Sequence, residues 1–260
     1  MTERMEQGRP AATVVIVRDR RAAPAEILMM ERASTMAFAA GALVFPGGAL
    51  DDADHELGAR WGGALDLEEA AARVAAIRET LEESGLGIGM TGPDAGAIDP
   101  AGLIEMRRGL ASGAAFATLL EDQGVTLSLD RLVPFARWHP GLGEKPRRIF
   151  DTRFYLTRAP EGQEASADST ENVRLLWSSA ESTITRCDAG QGRIIFPTRR
   201  NLERLAQFAD FAAMAAHAAA IPVEKVRPWI EDRDGVAHLC IPGHLGYPIT
   251  SELLELAGRG

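Results

Sequence analysis

The chain has 260 residues, 46% of them hydrophobic and 25% charged, enough for a full core and too ordinary a mixture for wholesale disorder. Its 28 basic and 37 acidic residues leave a net charge of −9, which excludes a non-specific nucleic-acid binder but leaves room for a local basic pocket. The cysteines, Cys187 and Cys240, are too few and too far apart for a disulfide framework or a zinc ribbon, and are expected to be reduced.

The opening stretch MTERMEQGRPAATVVIV is charged where a signal peptide would be apolar. The nearest thing to a membrane span, ADFAAMAAHAAAI, is short and broken by Asp210 and His217. The expectation is a cytoplasmic protein with neither membrane nor DNA as partner.

In chain order, ATVVIVRD (12–19) and AEILMMER (25–32) read as two adjacent strands of a hairpin. GALVFPGG (41–48) reads as a third strand ending at Pro46 and the glycines. Residues 49–65 read as a polar, glycine-containing insertion. DLEEAAARVAAIRETLEESG follows, with an acidic first turn, a helical period and Gly85 to stop it. Residues 101–123 read as one or two helices, and LVPFARW, IFDTRFYLT and NVRLLWSS as strands. A polar loop at 161–171 separates the last two of these. One long helix is expected over 198–220, then a Pro/Gly-rich tail. Trp138, Trp177 and Trp229 read as core anchors. Strands before, between and after helices imply a mixed sheet covered on two faces.

The helix that ends at Gly85 carries an anomaly. Val74, Ile77 and Leu81 form an apolar stripe, while Glu79, Glu82 and Glu83 fall together at i, i+3 and i+4. Like charges one turn apart repel, so three acids on one side call for a divalent cation. Oxygen-only ligands, with no His or Cys nearby, suit Mg2+ or Mn2+ rather than zinc.

The run Arg78-Glu79-Thr80-Leu81-Glu82-Glu83-Ser84-Gly85, followed by apolar Leu86, resembles the second half of the Nudix box. Counted back from Arg78, the box's leading Glu would fall on Ala70 and its leading Gly on Ala64. Gly47 or Gly48 of FPGG is the better match for that glycine, with residues 49–65 as an insertion inside the box. Upstream, Leu28, Met29, Met30, Glu31, Arg32, Ala33, Gly41 and Phe45-Pro46-Gly47-Gly48 resemble, in register, the pattern of the peroxisomal-type coenzyme A diphosphatases and their bacterial relatives. Met30 and Ala37 depart from it, standing where that branch has Thr and a second Arg.

The resemblance implies an α/β fold, a Nudix-type α/β/α sandwich with a central mixed sheet and extra helices inserted. It would form one domain over 1–260, with insertions at about 49–65 and 101–123 and a C-terminal extension at about 222–260. It implies metal-dependent hydrolysis of a diphosphate in a small nucleoside diphosphate derivative, with coenzyme A or its acyl esters as first choice. ADP-ribose, dinucleotides or capped RNA are the enzymatic alternative, and a non-catalytic nucleotide sensor is the second. By motif position, Glu79, Glu82 and Glu83 would ligate Mg2+ or Mn2+ with a carbonyl of Gly47 or Gly48, and Arg78 would orient Glu79 or Glu82. Glu82 or the loop residue Glu171 would be the general base, with Asp168 behind them. Arg32, Arg147 and Arg148, with Lys145, would meet substrate phosphates. A homodimer is a family-level expectation.

Overall fold

The computed structural model describes residues 8–33, 39–139, 149–167 and 172–257. Its strands are β1 (Arg9–Arg20), β2 (Ala23–Arg32), β3 (Leu43–Val44), β4 (Gly47–Ala49), β5 (Met90–Thr91), β6 (Thr126–Leu127), β7 (Val133–Trp138), β8 (Phe150–Arg158), β9 (Asn172–Ser178), β10 (Lys225–Val226), β11 (Trp229–Arg233), β12 (Val236–Cys240) and β13 (Ser251–Leu253). Its helices are α1 (Asp52–Trp61), α2 (Leu67–Ser84), α3 (Pro100–Ala111), α4 (Phe116–Asp122), α5 (Ala180–Asp188), α6 (Phe196–Leu205), α7 (Phe211–Ala220) and the short α8 (Leu254–Ala257).

The hairpin expected at the start is present: β1 and β2 pair antiparallel, with Val17 opposite Ile27. They lie inside a mixed sheet of order β10-β7-β8-β1-β2-β3, with β4 also beside β1 and β9 beside β2. β1 runs parallel to β8 and β10 parallel to β7. Alternate residues of a strand face opposite ways. Ala12, Val14 and Ile16 therefore join a core with α2, through Val74, Ile77 and Leu81. Val15 and Val17 join a second core with α6 and α7, through Leu202, Leu205, Met214 and Ala218. Helices cover both faces, as an α/β/α sandwich requires.

Several expectations need correction. The strand over 41–48 does not end at Pro46: Leu43–Val44 pairs with β2, Pro46 passes its carbonyl to Val14 N–H at 2.9 Å, and Gly47–Ala49 pairs with β1. The 49–65 insertion is a helix over most of its length, α1, with Asp51 and Asp54 forming a reciprocal capping box. The long helix over 198–220 is two. The chain leaves α6 so that Ala209 O can accept from Ala25 N–H at 2.9 Å, and α7 restarts with Asp210 capping Ala213 N–H and Asp19 accepting from Phe211 N–H. The tail is no bystander: β10 joins the main sheet, β11–β13 form a small sheet, and Ile241, Leu245 and Tyr247 lie in the second core. Trp138 is buried and Trp177 half-buried, but Trp229 is 43% exposed on the small sheet. Among the described residues, no helix is long and apolar enough to cross a membrane.

Candidate active site

Three elements meet at the C-terminal end of α2. The helix starts at Asp66, whose carboxylate accepts from the N–H groups of Glu68 and Glu69, and stops at Gly85, left-handed at φ 74°. Its last turns run beside β4. Glu83 accepts from the Gly47 N–H at 2.8 Å. Glu79 lies so close over Gly48 that a β-carbon there would sit 2.4–2.5 Å from its carboxyl atoms. Gly47, at φ 150°, approaches β1 just as tightly, since a β-carbon would meet Ala12 O at 2.2 Å. The two glycines let the strand and the acidic helix face close on each other.

Arg78 organises the acids. It donates to Glu79 at 2.8 Å and lies 3.9 Å from Glu82. Its main partner was not foreseen: Asp54 of α1 takes both Nε and Nη2, at 3.0 and 2.8 Å, in a bidentate pair, and Asp54 is only 1% exposed. A signal for Asp54 was present in the sequence. It stands six positions after Gly48, the step a Nudix box takes from its leading glycine to its leading acid. The extra residues thus lie between that acid and Arg78, rather than between glycine and acid. Ala70, where counting back from Arg78 had put the acid, is buried in the contact between α1 and α2. There a β-carbon on Gly62 would sit 2.7 Å from the Ala70 methyl, and one on Gly58 2.8 Å from Ala71 N. A glutamate at 70 would force α1 away; the small residue admits the helix that delivers Asp54.

Burial works against the Arg78 charge, but hydrogen bonds and attraction from Asp54 and Glu79 outweigh it and raise its pKa above the ordinary value. Burial also pushes the Glu79 carboxyl up to about 7, against the pull of Arg78 and with help from Glu82 and Asp54. Glu82 is 42% exposed on its side chain. Arg78 thus ties Asp54 and Glu79 together and stands beside Glu82, while Glu83 is held through the Gly47 N–H. Among the described residues, no three acids, histidines or cysteines are already drawn together tightly enough to hold an ion. The donor set fits a hard divalent cation in kind, being all carboxylate with backbone carbonyls alongside.

Arg32 ends β2, and because β2 runs antiparallel to β1 it reaches the end of the sheet where β4 pairs. Ala37, Lys145, Arg147, Arg148, Asp168 and Glu171 lie outside the described residues.

Comparison with known proteins bears on the fold and the family. No family profile matches the chain. The crystal structure of a NUDIX hydrolase from Alicyclobacillus acidocaldarius superposes with a TM-score of 0.71 at 30% identity, over 80% of this chain and 95% of that one. The chain belongs to the Nudix hydrolase family. Its members act on phosphorus-containing anhydrides and generally use divalent metals. Among curated Nudix proteins, the acyl-coenzyme A diphosphatase NUDT19 of Gallus gallus is 27% identical over 86% of this chain and 73% of its own length. Putative nudix hydrolase 7 of Caenorhabditis elegans is 27% identical over 71% of this chain, which spans 57% of that protein's length.

Proposed function

We propose that this Nudix protein hydrolyses the diphosphate of coenzyme A or an acyl-coenzyme A, giving 3′,5′-ADP and (acyl-)4′-phosphopantetheine, with Mg2+ or Mn2+ bound at Glu79, Glu82 and Glu83 and a carbonyl of Gly47 or Gly48. The observation that carries the reading is the gathering of Asp54, Glu79 and Glu82 about Arg78, with Glu83 on the Gly47 N–H, against two glycines that admit no side chain. A bound divalent cation would supply positive charge against the phosphate oxygens as negative charge shifts onto them. The chain's own groups do the rest. Arg78, locked to Asp54, fixes the Glu79 carboxylate. Glu82, the more exposed acid, takes a proton from water as the water oxygen bonds to one phosphorus and the bridging P–O bond breaks, its electron pair staying on the departing phosphate. Glu171 is the other choice of base. Arg32, Arg147 and Arg148 hold phosphates.

Support for the coenzyme A substrate comes from the FPGG-centred pattern around Arg32 and from the diphosphatase named among the relatives. Met30 and Ala37, which depart from that pattern, favour a second reading with ADP-ribose or a dinucleotide as substrate. The test is a panel of coenzyme A, acetyl-coenzyme A, ADP-ribose, NADH and a dinucleoside polyphosphate with Mg2+ or Mn2+, followed by phosphorus NMR, for wild type, Glu82→Gln and Glu171→Gln. Release of 3′,5′-ADP and a phosphopantetheine by the wild type supports the first reading, loss of it in Glu82→Gln or in Glu171→Gln assigns the base, and cleavage of another compound selects the second reading. Tight binding without cleavage of any compound would make the protein a sensor.

A further inference from the structure

We infer that Arg107, on the inserted helix α3, is a positioning residue for the acid constellation. An α-helix leaves its last four carbonyls without partners inside the helix. In α2 each of them is satisfied: Leu81 O by Gly85 N–H, Glu82 O by Arg107 Nε at 2.9 Å, Glu83 O by Arg107 Nη2 at 3.0 Å, and Ser84 O by Ser166 N–H at 2.9 Å. One guanidinium therefore grips the backbone of the two residues whose side chains face the proposed cation. The same guanidinium donates to Ser166 Oγ at 2.7 Å and Ser166 O at 2.9 Å, so the loop that covers the helix end is tied to the same point. A fourth tie, Gly87 N–H to Gln163 Oε1 at 2.8 Å, closes the arrangement.

The need for an outside cation follows from the helix itself. Carboxylates near a helix C-terminus are opposed by the negative end of the macrodipole. The last turn of α2 holds Glu82 and Glu83 and no basic residue of its own. Without a cation behind it, this turn is the part of α2 most prone to fray, and fraying would carry both carboxylates away from β4. Arg107 supplies that cation from another element, at the backbone carbonyls of Glu82 and Glu83. Gly85 makes room for it: a β-carbon there would sit 3.2 Å from Arg107 Nη1.

The inference rests on the metal-binding reading of Glu82 and Glu83, so the experiment has one arm that involves no metal. In the full chain, Mn2+ affinity by electron paramagnetic resonance and amide hydrogen exchange without metal are compared for wild type, Arg107→Ala, Arg107→Lys and Ser166→Ala. Arg107→Ala is expected to weaken Mn2+ binding about tenfold, the size typical of a lost supporting contact. It should also speed exchange at Gly85 and Leu86 while the N-terminal half of α2 keeps its protection. Arg107→Lys should recover part of both effects. Wild-type Mn2+ affinity with unchanged exchange in Arg107→Ala would overturn the inference, as would protection lost evenly along α2. If Arg107→Ala fails to fold, Arg107→Lys and Ser166→Ala carry the same comparison. A wild type that binds no Mn2+ would refute the metal reading, and the exchange arm would still decide the role of Arg107.

Discussion

At the end of α2 the crowding is of acids: Arg78 holds Asp54 and Glu79 and stands 3.9 Å from Glu82, and Glu83 accepts from the Gly47 N–H. On the opposite face of the sheet, along α6, the crowding is of arginines. Arg200, fully buried, reaches Glu203 at 3.0 Å and Glu252 at 2.5 Å. Arg204, also fully buried, donates to His217 Nε2 and Phe135 O at 3.0 Å and lies over the rings of Phe135 and Tyr247. Burial lowers the pKa of both guanidinium groups. The contrast teaches that position decides what a charged cluster can do: the arginines are buried between elements, whereas the acids stand at the end of a helix, where Glu82 keeps 42% of its side chain exposed. The arginines fasten α6 to the C-terminal segment, whereas the acids gather beside β4.

Removing one acid's charge while keeping its shape should break this contrast most visibly. Glu83→Gln retains an oxygen for the Gly47 N–H and loses the charge. Hydrolysis of the cognate substrate, measured as kcat under saturating metal, should fall by about 100-fold or more, with the melting temperature little changed. Full activity would mean that this cluster is not where the cation sits. Asp54→Ala should instead strike stability: it leaves Arg78 half-satisfied in a buried place, at a cost of about 3 kcal/mol, read from urea unfolding. A cost near zero would show that Arg78 finds another partner and that α1 is dispensable to the site.

The parts of this arrangement that were legible in the sequence are local ones. The β1/β2 hairpin shows in adjacent apolar runs, and α2 in a period, an acidic start and a terminal glycine. Glu79, Glu82 and Glu83 were identified because their spacing is itself the signal. α1 escaped because only a few of its residues are buried, Asp54, Leu57 and Gly58 among them, so it shows little apolar stripe. The break between α6 and α7 escaped because its cause lies in β2, which draws Ala209 into a hydrogen bond. Arg107 and Tyr247 act across 24 or more positions of sequence, and no local pattern marks such a contact. Asp54 is the instructive omission, since counting forward from Gly48 would have found it.

The arginine-rich face can be sharpened at Tyr247, which carries the tail into the second core. Its hydroxyl accepts from Trp138 Nε1 at 2.9 Å and donates to Asn201 Oδ1 at 3.1 Å, with the two rings edge-on at 5.6 Å. Burial pushes this phenol up to about 12, so it stays a neutral donor. Tyr247→Phe keeps the ring and removes the hydroxyl. It should cost about 1.5 kcal/mol without changing kcat, because the acids lie on the other face. A loss of activity larger than the loss of stability would show that the two faces are coupled.

The smallest effect expected separates two carboxylates of opposite character. Asp151 on β8 is paired with Arg137 at 2.8 Å and with Lys225 of β10 at 2.7 Å. Burial opposes its charge, but these two cations prevail and hold its pKa below the ordinary value, whereas at Glu79 burial outweighs the pull of Arg78 and the pKa is raised. A carboxyl depressed in the folded state binds fewer protons there than in the unfolded chain. Its contribution is therefore present above the unfolded pKa near 3.8 and disappears as pH falls through the folded value. Asp151→Asn should cost about 1 kcal/mol at neutral pH, with the gap to wild type closing as the pH falls below about 4. Unfolding curves of the two proteins across pH 3 to 7 would show this convergence. A gap of constant size down to pH 3 would mean that Asp151 acts there as a hydrogen-bond acceptor of fixed geometry, and that charge compensation is not what joins β10 to the sheet.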